Sequence, residues 1–554
     1  APLAAFSIPF LIQKQGLPTG DAQKAIYWAQ SISQHGNLPD YSLSYLKLNR
    51  DPVDFYTPGL HTTIALLLDM APHDMPAVGF FAILASLVAA VIAASIGKDI
   101  FDTPGKIFPA TLIMLLVLTN TRFLRYLREP GYHLQNVVGE VLLFGLLMLA
   151  LSLIHRWRTK DAILACICAI ALLVSHQFSS FIAAFALAPA LVIFIVSRRH
   201  MVINTIRQHP TFGIAGILTG TALGVGGLML GLQAKIPYLF TATPHLLQEL
   251  PALTDYPRLL GNWWFALGFT GLLLLGIHTF RKHLHRRETA AFCLTTLVLF
   301  VLSQAPRFFI DTPPIRALFY LVIPLSICGA YLLAMLLSYV NSIPAMKARL
   351  AGKSTILFLL AVGTIYSTIQ AYQEVPVSSR TNATLTPGLE YMIKNISKYV
   401  SEGSVLSDDY NKRSGSWLLL SGRPTFSRLA SDLRRPMLES RQSAERMDMY
   451  IKQLDFEKIY SLGNWPGIVP LMNKHGITAV VGAVGSSASV FSHNPLLQTA
   501  AAVDSMYVFG LHPAKTVSDN TDPDRAAWLL KASTLANDIG DDEDTFQKLP
   551  ASLP

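Results

Sequence analysis

The sequence predicts an α-helical integral membrane protein of about eleven transmembrane helices, followed by a small extracytoplasmic α/β domain. Three observations predict it. The 554 residues are 51% hydrophobic and only 14% charged, against about 25% charged in an ordinary soluble domain. The mean hydropathy is +0.40. Long apolar runs alternate with short basic loops as far as residue 372, and the composition then turns polar.

The elements follow in order. "APLAAFSIPF" (1–10) is too short to span and carries neither a basic leader nor a cleavage pattern. It is expected to be the outer end of a first helix. Spans are expected at 76–96, 107–121, 136–154, 161–175, 178–197, 212–233, 262–280, 287–303, 317–338 and 354–372. Runs shorter than about 20 residues tilt or draw on polar flanks.

The loops set the orientation. "HRWRTK" (155–160), "SRRHMVINTIR" (197–207), "FRKHLHRR" (280–287) and "MKARLAGK" (346–353) are basic and belong on the cytoplasmic side. Residues 15–75, 234–261, 304–316 and everything after 373 then lie outside. "RFLRYLREPGYHLQN" (122–136) is basic on the outer side and breaks the rule. "PGLHTTIALLLDM" (58–70) is too short to span, and an interfacial helix over 58–72 keeps the loop pattern consistent. A helix over 22–35 has Asp21 at or near its N-cap.

The organisation is a membrane domain over 1–375 with a first outer loop at 15–75, an α/β domain over 376–514 and an acidic tail over 515–554. Strand-like runs in the second domain are "SVLSD", "RPTFS", "KIYSLG", "ITAVVGAV" and "SMYVFGL". The acidic tail reads as a segment that docks a partner.

Several function classes recede. The net charge of +9 is spread over short loop clusters, which is not a nucleic-acid footprint. All four cysteines fall in apolar runs as buried thiols, and Cys166-x-Cys168 has no second ligand pair at zinc spacing. "GAVGSSAS" (482–489) lacks the lysine and the spacing of a phosphate loop and reads as a turn. "NAT" (382–384) and "NIS" (395–397) are glycosylation sequons on the outer side. A secondary transporter would show repeated halves and acids within its spans. Here the spans contain almost no acids, Glu140 being the main exception.

The residues that carry chemistry sit at the outer surface. Asp21 is either a helix cap or a general base. Tyr56 and His61, in "YTPGLH", are interface anchors or substrate contacts. Arg125 and Arg128 snorkel to the interface or bind phosphate. Arg307 and Arg316 can also meet phosphate oxygens, in bidentate fashion. His176 is a satisfied turn residue or a contact to sugar hydroxyls.

The first outer loop resembles that of the GT-C superfamily, polytopic glycosyltransferases that take a sugar from a polyprenyl-phosphate carrier. The resemblance rests on Asp21, then His35-Gly36 and Leu38-Pro39, then Tyr56-x-Pro58-Gly59-x-His61. Thr57 departs from the family's first proline. Two later places agree: Ser175-His176 before a small-residue turn, and Arg316-x-x-x-Tyr320-x-x-x-Pro324 at a helix start. The likeness covers roughly residues 15–375.

The resemblance implies an inverting transfer of sugar to an acceptor on the extracytoplasmic face. Asp21 would be the base, with Glu129 as the second acid where the family more often has Asp. A divalent metal, Mg or Mn, would sit on these two acids. Tyr56, His61, His133, His176, Arg307 and Arg316 would contact the substrate. The partners would be a polyprenyl-phosphate-linked sugar and membrane lipids, with no nucleic acid. A membrane protein could dock through the C-terminal domain or tail. The alternative is a non-catalytic subunit of a larger complex that kept the scaffold.

Overall fold

A computed structural model describes residues 29, 32–33, 62–66, 74–101, 107–120, 123, 130–199, 250–282, 286–308, 314–374, 387–407, 421, 423, 425–427, 455–456, 458–460, 462–483, 490–503 and 506–511. The chain divides into two compact units, residues 1–14 with 53–377 and residues 15–52 with 378–554.

The first unit is a helical bundle. In chain order it contains α1 (Asp74–Ile100), α2 (Ile107–Leu118), α3 (Pro130–His155), α4 (Thr159–Ser175), α5 (Gln177–Ala186), α6 (Ala188–Ser197), α7 (Tyr256–Leu260), α8 (Asn262–Lys282), α9 (Arg286–Leu302), α10 (Pro314–Phe319), α11 (Val322–Asn341) and α12 (Met346–Glu374). Among the described residues five helices are long and apolar enough to cross a bilayer, or six if the bent pair α5–α6 counts as one span. The chain is an integral membrane protein of helical architecture. The expected span at 212–233 lies outside the described residues. Within the segment expected at the interface, residues 62–66 are helical, with Ile64 and Ala65 buried and Thr62, Thr63 and Leu66 exposed.

Lipid tails are as apolar as leucine, so close packing rather than water exclusion holds such helices together. The seam between α8 and α11 shows how. A Cβ on Gly271 would stand 1.9 Å from the Cys328 carbonyl oxygen, and one on Gly268 would stand 2.7 Å from that of Leu325. The two backbones therefore touch where glycine removes the side chain. Trp264 adds a polar pin, its indole N–H 3.2 Å from both the Leu116 carbonyl of α2 and the Ser326 hydroxyl of α11. By contrast α12 presents Leu357, Phe358, Val362, Ile365 and Ile369 outward. Its close approach is at Gly363, which lies against the Trp263 indole.

One end of the bundle is tied by charged groups. Ser152 donates to Asp161 at 2.7 Å. His155 pairs with Glu288 at 3.0 Å. The Arg198 guanidinium donates to the Ile154 and His155 carbonyls. Burial of Asp161 and Glu288 is tolerated because each has a partner.

The second unit contains α13 (Pro387–Lys394) and α14 (Ile468–Lys474), with strands β1 (Ser404–Ser407), β2 (Thr425–Ser427), β3 (Ile477–Ala483), β4 (Leu497–Val503) and β5 (Met506–Leu511). Their order in the sheet is β2-β1-β3-β5-β4. β1 is parallel to β2 and β3, while β5 is antiparallel to β3 and β4. Four of the strand-like runs form strands. The fifth, "KIYSLG", does not: residues 458–460 are helical. Phe456, Ile459 and Tyr460 are buried at helical spacing, which outweighs the β-formers among them. "LQTAAAV" forms β4 although its alanines give little strand signal. Behind the sheet, buried Asp455 accepts from Lys474 at 2.8 Å and pairs with His475 at 2.7 Å.

Candidate functional site

A buried polar chain crosses the first unit where three helix ends converge. α4 stops at Ser175 because His176 turns extended, and His176 at once caps α5. Its imidazole Nδ1 accepts the N–H of Ser179, 3.3 Å away. This is the N-cap arrangement that Ser or Asp usually supplies, made here by a histidine. The Ser179 hydroxyl meets the same Nδ1 and also meets the hydroxyl of Tyr320. Tyr320 stands at the break between α10 and α11, so the chain joins residues 141 apart in sequence. Ser179 and Tyr320 are fully buried, and His176 is 9% exposed.

Helix α3 closes one side of this chain with its backbone. A Cβ on Gly139 would lie 1.8 Å from Ser179 Oγ and 2.9 Å from His176 Nδ1. The next residue, Glu140, is fully buried, and among the described residues the neighbour of its carboxyl group is the Ile323 backbone of α11, short of full hydrogen-bond geometry. Phe178 and Tyr320 pack with ring centroids 6.2 Å apart and cover the chain from the α5 side.

Arg316 lies one helical turn before Tyr320 on α10 with its side chain exposed. Burial, and then the Arg316 charge, push His176 from its ordinary 6.5 down to about 3, so the ring is neutral. A second arginine, Arg307, is exposed on the 3-10 turn Ala305–Phe308 that ends α9. That turn is anchored. Gln304 donates to the Tyr256 hydroxyl at 2.6 Å and to the Pro251 carbonyl at 3.1 Å, and Tyr256 meets Ser303 at 2.5 Å.

The sequence singled out His176 and Arg316, and the structure brings them together. Asp21, Tyr56, His61 and Glu129 lie outside the described residues, as do Arg125 and Arg128. His133 falls on α3, but its side chain is not among those described. Ser179 and Gly139 were missed, and Glu140 stood out only as an acid within a span. Ser179 carried one signal, a spacing of three from His176, the distance from an N-cap to the amide it binds. Among the described residues no group of three His, Cys, Asp or Glu could hold a metal ion.

Chemically the site offers a cation, a neutral imidazole and a buried hydroxyl pair. Arginine and imidazole suit an anionic oxygen better than an apolar or cationic group.

Comparison with known proteins gives the frame for this geometry. A family model described as "Family of unknown function (DUF6541)" matches residues 28–406. No curated protein matches the chain by sequence. The structure of the archaeal oligosaccharyltransferase AglB from Archaeoglobus fulgidus, in complex with an inhibitory peptide and a dolichol-phosphate, is similar with a TM-score of 0.55 and 11% identity. That match covers 87% of this chain and 69% of that one. ArnT from Cupriavidus metallidurans bound to undecaprenyl phosphate is similar with a TM-score of 0.53 and 11% identity, over 92% of this chain and 98% of that one. At this identity the likeness shows the fold alone, a polytopic fold that this chain shares with both neighbours and that agrees with the expected resemblance.

Proposed function

We propose that this chain, which belongs to the DUF6541 family of unknown function, is a glycosyltransferase that moves a sugar from a polyprenyl-phosphate donor to an acceptor on the extracytoplasmic face. The observation that carries the reading is the placement of Arg316 beside the His176–Ser179–Tyr320 chain within a GT-C fold. The two neighbours were solved with dolichol-phosphate and undecaprenyl phosphate, lipids of the class invoked here.

In this reading Asp21 takes the proton of the acceptor hydroxyl. The acceptor oxygen attacks the anomeric carbon, and the bond from that carbon to the donor phosphate oxygen breaks with its electron pair on the oxygen. The sugar inverts. Arg316, with Arg307, meets the negative charge that develops on the leaving phosphate. Tyr56, His61, His133 and His176 position the substrate. Glu129 supports Asp21, and these two carboxylates would hold a magnesium or manganese ion, which would supply charge neutralisation. With eleven spans the C-terminal domain would lie outside, where it or the acidic tail would dock a membrane partner.

The test is turnover of a polyprenyl-phosphate sugar by the purified full-length chain in lipid nanodiscs. Asp21→Asn keeps the cap acceptor and removes the base. It should melt like wild type and lose about 10²–10⁴-fold in rate. A variant that turns over at the wild-type rate would remove Asp21 as the base. A wild type inert toward every donor would favour a non-catalytic subunit.

A further inference from the structure

The hydrogen bonds around His176 fix which ring nitrogen carries the proton. A backbone N–H can only donate, and that of Ser179 donates to Nδ1. A nitrogen that accepts holds no hydrogen. The Ser179 hydroxyl contacts the same Nδ1 and must therefore donate to it as well. Its one proton is then committed, so the Tyr320 hydroxyl, which meets Ser179 Oγ, donates in turn. The order Tyr320 to Ser179 to His176 leaves a neutral ring with its hydrogen on Nε2.

The surroundings agree. Gly139 brings the α3 backbone against the Nδ1 side of the ring, where a Cβ would stand 2.9 Å away. Nε2 makes no hydrogen bond among the described residues. The charged neighbour Arg316 on α10 opposes a second proton on the ring, as does burial. Glu140 on α3 follows Gly139 directly in the chain.

We propose that Ser179 and Tyr320 are positioning residues that hold His176 as the neutral Nε2–H tautomer, so that the ring donates one hydrogen bond to a phosphate oxygen. This rests on the proposed function for its ligand, the phosphate of the lipid carrier. A phosphate oxygen fits better than a sugar hydroxyl because Arg316 already supplies the charge it needs. A neutral N–H adds direction without a second buried cation, whose desolvation would oppose binding. Neither Ser179 nor Tyr320 touches the reacting atoms. They act through His176.

The experiment uses the full-length chain in nanodiscs with ¹⁵N-labelled histidine, the His176 signals being those lost in His176→Gln. The expected spectrum shows an unprotonated Nδ1 and a protonated Nε2, unchanged between pH 5 and pH 8. Undecaprenyl phosphate should shift Nε2, and inorganic phosphate should do so only at far higher concentration.

Losing one hydrogen bond typically weakens an interaction about 2- to 13-fold. Ser179→Ala and Tyr320→Phe should weaken undecaprenyl phosphate binding by that amount and raise the Nδ1–H form only in part, because the backbone N–H of residue 179 still faces Nδ1. His176→Ala should lose the donor altogether. His176→Gln, whose amide N–H lies near the Nε2 position, should recover most of the affinity.

A protonated Nδ1 in wild type, or titration near pH 6.5, overturns the lock. An Nε2–H ring that neither phosphate shifts overturns the phosphate assignment while the lock stands. Equal response to both phosphates overturns the lipid as source. The transferase reading is judged separately, by donor turnover.

Discussion

The amide of Ser179 and the Nδ1 of His176 lie 3.3 Å apart, so a histidine performs the capping role at the start of α5. A protonated ring would turn an N–H toward that amide and abolish the cap. The local geometry thus ties the charge state of one side chain to the start of a helix.

A pH dependence follows. The folded value of about 3 lies below the ordinary 6.5, so the unfolded chain takes up the proton first. The stability contributed by the neutral ring is fully present above about pH 6.5. It is lost progressively as pH falls toward 3. At pH 5 the loss is about 2 kcal/mol, since each unit is worth about 1.4 kcal/mol. Wild type should melt lower at pH 5 than at pH 7.5, and His176→Gln should show a smaller difference. Equal differences would mean that His176 is protonated in the fold.

Two glycines on α8 should behave oppositely. Gly271→Ala forces a Cβ to within 1.9 Å of the Cys328 carbonyl oxygen, so the helices must separate. Overpacking of this kind costs about 1–3 kcal/mol. Gly276 has nothing within 4 Å of its Cβ position. Gly276→Ala should therefore be neutral or stabilise by up to about 1 kcal/mol through helix propensity. Thermal melts of both variants in one detergent check the contrast.

Glu140 should be replaceable with profit to stability. A buried polar group whose hydrogen bonding is incomplete destabilises by about 1–3 kcal/mol, and among the described residues Glu140 has only a marginal contact with the Ile323 backbone. Glu140→Met keeps the side-chain length and should raise the melting temperature. A lower melting temperature would mean that the carboxylate holds a bound ion or a group outside the described residues.

In the second unit Asp455 joins α14 and the residue after it, through Lys474 and His475, to the segment around Phe456. Asp455→Ala leaves His475 without its acceptor. Hydrogen bonds to charged groups are worth about 1.5–3 kcal/mol each. Hydrogen exchange at the β3 amides of the full-length chain should quicken, while exchange in α8 should not.

How much of this could be read from the residues alone varies with distance along the chain. Helix existence was legible wherever apolar runs were long, because burial in lipid needs nothing more. His176 and Arg316 stood out because each pattern, Ser175-His176 and Arg316-x-x-x-Tyr320, is local. The bond between Ser179 and Tyr320 was not legible, since it depends on α5 meeting a helix break far along the chain. Gly139 looked like any glycine in a membrane run, and its use appears only when Ser179 is seen against it. "KIYSLG" misled because β-formers there follow a helical burial period that extends back to Phe456.

Helix α12 has a further consequence. Of its 29 residues, the apolar stretch 354–372 measures about 28 Å at about 1.5 Å each, close to a hydrocarbon layer of about 30 Å. Outward-facing leucine, phenylalanine and isoleucine leave its tilt only lightly fixed by neighbouring helices. A thinner bilayer would therefore increase the lean of α12, against the resistance of the contact between Gly363 and Trp263. Acyl-chain length in the host membrane thereby becomes a mechanical variable for α12.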